Sequence, residues 1–276
     1  MTTVPPIDFS RYPLDRGVDA MADIIDRCRT QLDRDQYCSL PGFFLADAVA
    51  VSAADAESLL DRANSAESER NCYLQRQGSA DHPPDHPRNI MNPARYRMIA
   101  ADLFKPTSHL KTLYFWSPFQ DMVAAIVGED KLYPSEDELQ PVNVICYGPG
   151  DQSAWHYDST NAFTMTLMLQ AAEEGGLFEL APNTRNGSDD EDIDYMKAVL
   201  SGDRTRVSTV SREAGELTIF RGCNSLHRVS PVSGSRKRLM AVFVYETEPG
   251  IVGDPEVNLT VYGRTGRQSD APAQQT

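Results

Sequence analysis

The residues best suited to chemistry are two histidines and an aspartate. His156 and Asp158 stand one residue apart in Trp155-His156-Tyr157-Asp158, and His227 lies far downstream in Ser225-Leu226-His227-Arg228-Val229-Ser230-Pro231-Val232. In an extended strand alternate side chains share a face, so His156 and Asp158 point the same way, as adjacent ligands of one ion require. A third nitrogen ligand can arrive from a distant strand, and His227 completes the set. Two imidazoles and one carboxylate on one face of an octahedron suit non-haem Fe(II), with positions left open for a co-substrate and oxygen. Zinc accepts the same donors, but the chain has no HExxH to place two histidines on a helix beside a glutamate. An HxD pair alone arises easily by chance. Its weight here comes from the turn before it, Tyr147-Gly148-Pro149-Gly150, the strand-like run after it, and the second histidine ahead of a further strand.

That further strand begins with basic residues. Gly234-Ser235-Arg236-Lys237-Arg238 leads directly into the apolar run Leu239 to Tyr245. A guanidinium at the mouth of a barrel holds a carboxylate through two parallel charge-assisted bonds, which lysine cannot copy. Arg236 and Arg238 have the same strand parity, so alternation leaves the choice open, and a charged hairpin that guards a sheet edge is the plainer reading. Trp155 points away from His156 and reads as packing. His82, His86 and His109 read as solvated or capping residues, with a second metal site at His82 and His86 a remote option.

These side chains need rigid elements to carry them. Up to about residue 130 the chain reads mainly as helices: Val18 to Leu32 spaces Met21, Ile24, Ile25, Cys28 and Leu32 helically, Ser52 is placed to cap a helix to about Ala63, and another run covers Pro118 to Val127. Between them Asp81 to Arg88 holds three prolines and reads as a rigid loop. From about Pro141 short apolar runs split by Gly and Pro predict an antiparallel sandwich or barrel, with strands at Val142 to Tyr147, Ala162 to Leu169, Leu217 to Phe220 and Leu239 to Tyr245. The acidic run Ser188 to Asp194 lacks the glycine and terminal glutamate of a calcium loop and reads as a solvated insertion, followed by a short helix at Tyr195 to Leu200.

Composition narrows the classes of partner. With 276 residues, 41% hydrophobic, the chain can bury a sizeable core, and a net charge of -14 disfavours nucleic acid and anionic membranes. No apolar run is long enough for a membrane span, and Met1 to Pro6 lacks a secretion signal, so the chain reads as cytoplasmic. Five widely spaced cysteines without a CxxC read as reduced thiols.

The stretch from about Val142 to Tyr245 resembles the Fe(II)- and 2-oxoglutarate-dependent dioxygenases, through Tyr147-x-Pro149-Gly150, a short spacer, His156-x-Asp158 and the distal His227-Arg228-Val229-x-Pro231-Val232. It resembles more closely a subgroup related to amino-acid halogenases and hydroxylases, through Trp155 to Asp158, Gly175-Gly176-Leu177-Phe178-Glu179 and Ser225 to Gly234. The resemblance implies an α+β fold with a mainly β core: a double-stranded β-helix, jelly-roll or cupin-like, with an N-terminal helical region packed on it. It divides the chain into 1–130, a helical and loop region; 131–263, the core with an acidic insertion at 183–206; and 264–276, a flexible tail. It makes His156, Asp158 and His227 the ligands of Fe(II), and assigns the far carboxylate of the co-substrate 2-oxoglutarate to Arg238 in preference to Arg236, with Tyr147 also on 2-oxoglutarate; a buried strand tyrosine is the equal alternative. The activity implied is hydroxylation of an unactivated C–H bond by O2, with release of succinate and CO2. Halogenating relatives replace the carboxylate ligand by glycine or alanine, whereas this chain has Asp158. The expected substrate is a small polar molecule, an amino acid or related amine or carboxylate, with Arg88 placed to pair with its carboxylate and a surface arginine as the plainer reading. Desaturation, ring closure, action on a carrier- or protein-bound residue, and a non-catalytic cupin-like metal-binding protein are the alternatives. Neither nucleic acid nor membrane is expected as a partner, and the oligomeric state is open, a homodimer being one option.

Overall fold

The computed structural model describes residues 4–158, 163–187 and 189–267. Ala162, Ser188 and residues 268–276 of the expected tail lie outside the described residues. Seven strands form the major sheet, in the spatial order Tyr37–Leu40, Leu217–Phe220, Thr164–Gln170, Arg238–Phe243, Val142–Tyr147, Asn92–Ile99 and Asn64–Arg70, with every neighbouring pair antiparallel. A minor sheet runs Leu226–Val229, Phe178–Ala181, Ser208–Val210. The two layers make the mainly β, α+β architecture of a double-stranded β-helix, as the resemblance implies.

Strand alternation explains how the layers divide their work. On the central strand Leu239, Ala241 and Phe243 face outward into a core shared with Met165, Leu167, Leu217, Ile219, Val142 and Val144. Helices cover that face: Ala22–Asp35 contributes Ile25, Cys28 and Leu32, Ala46–Ser58 contributes Val49 and Ala53, and Ser117–Val127 contributes Phe119, Met122 and Val123. The intervening residues Arg238, Met240 and Val242 face the opposite way, toward the minor sheet. The interior between the sheets mixes apolar side chains with Arg238 and the histidines, whereas the helical side is apolar, so chemistry belongs to the first and stability to the second.

Two expectations for the first 130 residues are corrected. That region is not only helical and looped: Tyr37–Leu40, Asn64–Arg70 and Asn92–Ile99 supply both edges of the major sheet. Ser52 does not cap a helix either; it sits inside Ala46–Ser58, buried, its hydroxyl donating to the Ala48 carbonyl at 2.7 Å. The expected strands Val142 to Tyr147 and Leu217 to Phe220 are found with those bounds, and the last expected strand splits into Arg238–Phe243 and Tyr245–Glu246. Asp192 caps the helix Ile193–Leu200 by accepting from the Tyr195 N–H. All five cysteines are unpaired thiols, four of them buried. No helix among the described residues is long and apolar enough to cross a membrane.

Candidate functional site

The segment that carries His156 and Asp158 is not a regular strand. It is joined to the minor sheet by one antiparallel bridge, in which His156 and His227 each donate a backbone N–H to the other's carbonyl, at 3.0 and 3.1 Å. The next two residues are fixed by different neighbours: the Tyr157 N–H donates to the Cys72 carbonyl and the Asp158 N–H to the Gly222 carbonyl. Trp155 anchors the other side. It is fully buried, with the guanidinium carbons of Arg204 and Arg228 at 5.0 and 4.9 Å from its ring, and Glu179 holds both arginines. Trp155 thus packs, as its parity predicts.

The backbone brings three donors together. The Nδ1 of His156 lies 2.8 Å from the Ala154 carbonyl and that of His227 lies 3.1 Å from the Ser225 carbonyl. A carbonyl only accepts, so each Nδ1 carries a ring proton and each Nε2 is the nitrogen left for the site. Both Nε2 atoms face Asp158, at 3.7 Å from His156 and 3.4 Å from His227 to the same Oδ1. The other oxygen, Oδ2, accepts a short hydrogen bond from the Thr164 hydroxyl, which leaves Oδ1 for the histidines. Cis ligands of an octahedral ion with bonds of about 2.1 Å stand about 3 Å apart, so small side-chain shifts suffice to close on a metal. Among the described residues this is the one group of three or more His, Cys, Asp or Glu disposed to hold an ion. The rings of His82 and His86 lie 4.1 Å apart, tilted by 55°, but no third donor among the described residues joins them.

Burial pushes the His156 imidazole down to about 4, with the neighbouring His227 acting in the same direction. Burial alone raises the Asp158 carboxyl, but His227, His156 and the Thr164 hydroxyl outweigh it and hold the group well below the usual carboxylate range. At neutral pH His156 is therefore neutral and Asp158 charged, the protonation states that ligate.

Gly222 makes room for this arrangement. A Cβ there would collide with the Asp158 carboxylate and stand 3.1 Å from His227 Cε1. Gly222→Ala is expected to lower ferrous affinity about 10- to 100-fold, as changes beside a ligand set do, while the fold persists; anaerobic titration with melting curves checks both, and unchanged affinity would overturn the steric reading.

Arg238 and Arg236 share parity but not environment. Arg238 is 1% exposed, opposite Tyr147 across the sheet, with its guanidinium carbon 5.6 Å from the tyrosine ring. Its Nε and Nη1 have no hydrogen-bond partner, and Nη2 reaches only Met240 Sδ at 3.3 Å. Burial pushes it down to about 10, so it remains a cation at neutral pH. Gly176, at φ +60°, clears its path: a Cβ there would stand 3.1 Å from Arg238 Cδ. Arg236 is exposed in the hairpin and donates to the Ala172 carbonyl. Tyr147 is buried in the same interior, beside Ser153.

Beside Asp158 a cavity of about 540 Å³ opens, lined also by Thr164, Gln140, Glu246, Glu248 and Asp254. Arg88 is not among its lining residues. It stacks on Tyr73 at 4.1 Å and opens onto a separate depression with Gln75, Arg76 and His82. Sequence reasoning missed Thr164 and Gly222, and no local motif marks either.

A family model described as Halogenase D matches residues 20–254. No curated protein matches the sequence. Among solved structures the chain is similar to AviO1 from Streptomyces viridochromogenes Tue57, with a TM-score of 0.56 at 17% identity over 83% of this chain and 97% of that one. It is similar to the epimerase SnoN in complex with Fe3+, alpha ketoglutarate and nogalamycin RO, at 0.54 and 18% over 90% and 97%. A 2OG-Fe(II) oxygenase family oxidoreductase from Burkholderia pseudomallei aligns at 0.51 and 14% over 82% and 92%. At these identities the structural likeness speaks for the fold.

Proposed function

The chain belongs to the halogenase D family, among the Fe(II)- and 2-oxoglutarate-dependent oxygenases, and from that premise we propose that it hydroxylates an unactivated C–H bond of a small amino acid or related amine. The observation that carries the choice of hydroxylation is Asp158: its carboxylate, held by Thr164 beside His227, would take the place on the metal that a halide needs.

The residues present fit both groups. Two bare imidazole Nε2 atoms and one carboxylate oxygen suit ferrous iron, and the unpartnered guanidinium of Arg238 suits the far carboxylate of a keto diacid. When bound, iron and 2-oxoglutarate supply from O2 the oxidant that attacks the C–H bond, with release of succinate and CO2. The chain's own residues do the rest. His156, Asp158 and His227 would fix the metal, with Ala154, Ser225 and Thr164 orienting them through hydrogen bonds. Arg238 orients the co-substrate, Tyr147 bounds the same interior, and Arg236 stays in solvent. The buried layers around His227 keep water from the reacting atoms.

The acidic walls of the cavity support a substrate that carries an ammonium group, with Glu246, Glu248 and Asp254 available to it. No arginine among the described residues lines this cavity, since Arg88 opens onto a separate depression, so the substrate reading rests on the ammonium group.

The test is anaerobic addition of Fe(II) and then 2-oxoglutarate to the purified protein. A weak visible charge-transfer band is expected, absent in His156→Ala. Iron binding with no band would overturn the co-substrate reading.

A further inference from the structure

Arg238 is not alone in the interior. Arg212 follows the minor-sheet strand Ser208–Val210 and enters from the opposite layer, 5% exposed. Its Nη1 donates to Thr166 Oγ1 at 2.8 Å and lies 3.5 Å from Met240 Sδ, the same sulfur that Arg238 Nη2 reaches. Its Nε and Nη2 have no hydrogen-bond partner, like the Nε and Nη1 of Arg238. No carboxylate of the described residues forms an ion pair with either arginine. Arg212 lies 4.0 Å from the Phe178 ring, and Phe178 and Phe220 in turn pack on His227 at 5.8 and 5.0 Å. The two guanidinium groups thus meet over one sulfur in the chamber that the metal ligands face.

Two unpaired cations in a dry interior are costly, and each raises the cost of the other. One carboxylate has about four acceptor sites on two oxygens, enough to take N–H bonds from both arginines at once. Serine, threonine or lysine would position such an anion with fewer or less directed donors. Glu216 favours the Arg212 cation through space but makes no ion pair with it, so the Arg212 Nε and Nη2 donors still lack an acceptor.

We infer that Arg212 and Arg238 together form a two-guanidinium seat for the far carboxylate of 2-oxoglutarate, which makes Arg212 a second co-substrate-binding residue. The inference rests on the co-substrate reading above and adds a residue to it. It requires that the seat be strongly selective for the second carboxylate, since a keto acid without one leaves both cations buried and unpaired.

Calorimetric titration of the anaerobic Mn(II)-loaded full chain tests this, with 2-oxoglutarate and 2-oxopentanoate, the same carbon chain without the second carboxylate. Wild type is expected to prefer 2-oxoglutarate by about 100-fold or more, and Arg212→Met and Arg238→Met each to lose at least about 10-fold of that preference. Arg212→Lys, which keeps the charge and guards against a folding failure, is expected to retain part of it. Melting of the ligand-free proteins adds a readout that a structural arginine would not give: Arg212→Met removes one of two repelling charges and is expected to melt no lower than wild type, yet to gain less from added 2-oxoglutarate. If Arg238→Met loses the preference while Arg212→Met and Arg212→Lys keep it, the role of Arg212 is overturned and the co-substrate reading stands. If wild type does not distinguish the two acids, the co-substrate reading itself falls.

Discussion

His227→Ala is expected to bind no ferrous iron in the micromolar range and to convert no 2-oxoglutarate to succinate. Its imidazole is one of three donors, 4% exposed, and its Nε2 lies nearest the Asp158 carboxylate. Loss of one ligand from a three-ligand site removes most of the binding energy, because the two remaining donors no longer enclose a face of the ion. The truncation also leaves a hole against Phe178 and Phe220, at a stability cost of about 2–4 kcal/mol. Iron titration, succinate release and melting temperature separate the two effects, and His82→Ala serves as a control because His82 stands outside the cluster. Stoichiometric iron in His227→Ala would sink the ligand assignment.

The second large effect concerns Asp158. Asp158→Gly is expected to lower oxygenated product by about 100-fold or more, while His156 and His227 keep their places through the backbone bridge. The vacancy would stand open to halide, so the assay is mass analysis of substrate with and without chloride. Oxygenated product at the wild-type level would show that the carboxylate is not a ligand. Absence of chlorinated product would leave the ligand assignment intact, since the glycine variant also loses the hydrogen bond from Thr164 that shapes the pocket.

What the sequence made legible followed from continuity. Val142–Tyr147 and Leu217–Phe220 lie inside the major sheet and read as near-continuous apolar runs, interrupted only by Asn143 and Thr218, so their bounds are visible in the chain itself. Asn64–Arg70 and Asn92–Ile99 are edge-side strands whose alternate residues are exposed, and their Ala, Glu and Arg content reads as helix or loop. Only pairing with Val142–Tyr147 and with each other makes them strands. The same division holds at the site. The HxD pair and His227 stand in short recognisable segments. Arg212 looks like any loop arginine until the sheets close over it, and Gly222 looks like a turn residue until Asp158 is seen beside it. Parity could not choose between Arg236 and Arg238; burial separates them, because the strand begins at Arg238 and Arg236 is still in the hairpin.

The reciprocal bridge between His156 and His227 has a consequence for how the molecule assembles. The two residues are about 70 positions apart, so the chain must close a long loop before they meet, and that closure carries a substantial entropic toll. A slip of one residue in this pairing would set Leu226 or Arg228 where His227 belongs and turn the imidazole to the other side. Misregistered chains would therefore be blind to iron, and the cation would draw the population toward the correctly threaded form. Iron uptake during refolding would then report closure of the barrel in the right register, a topological event rather than a chemical one.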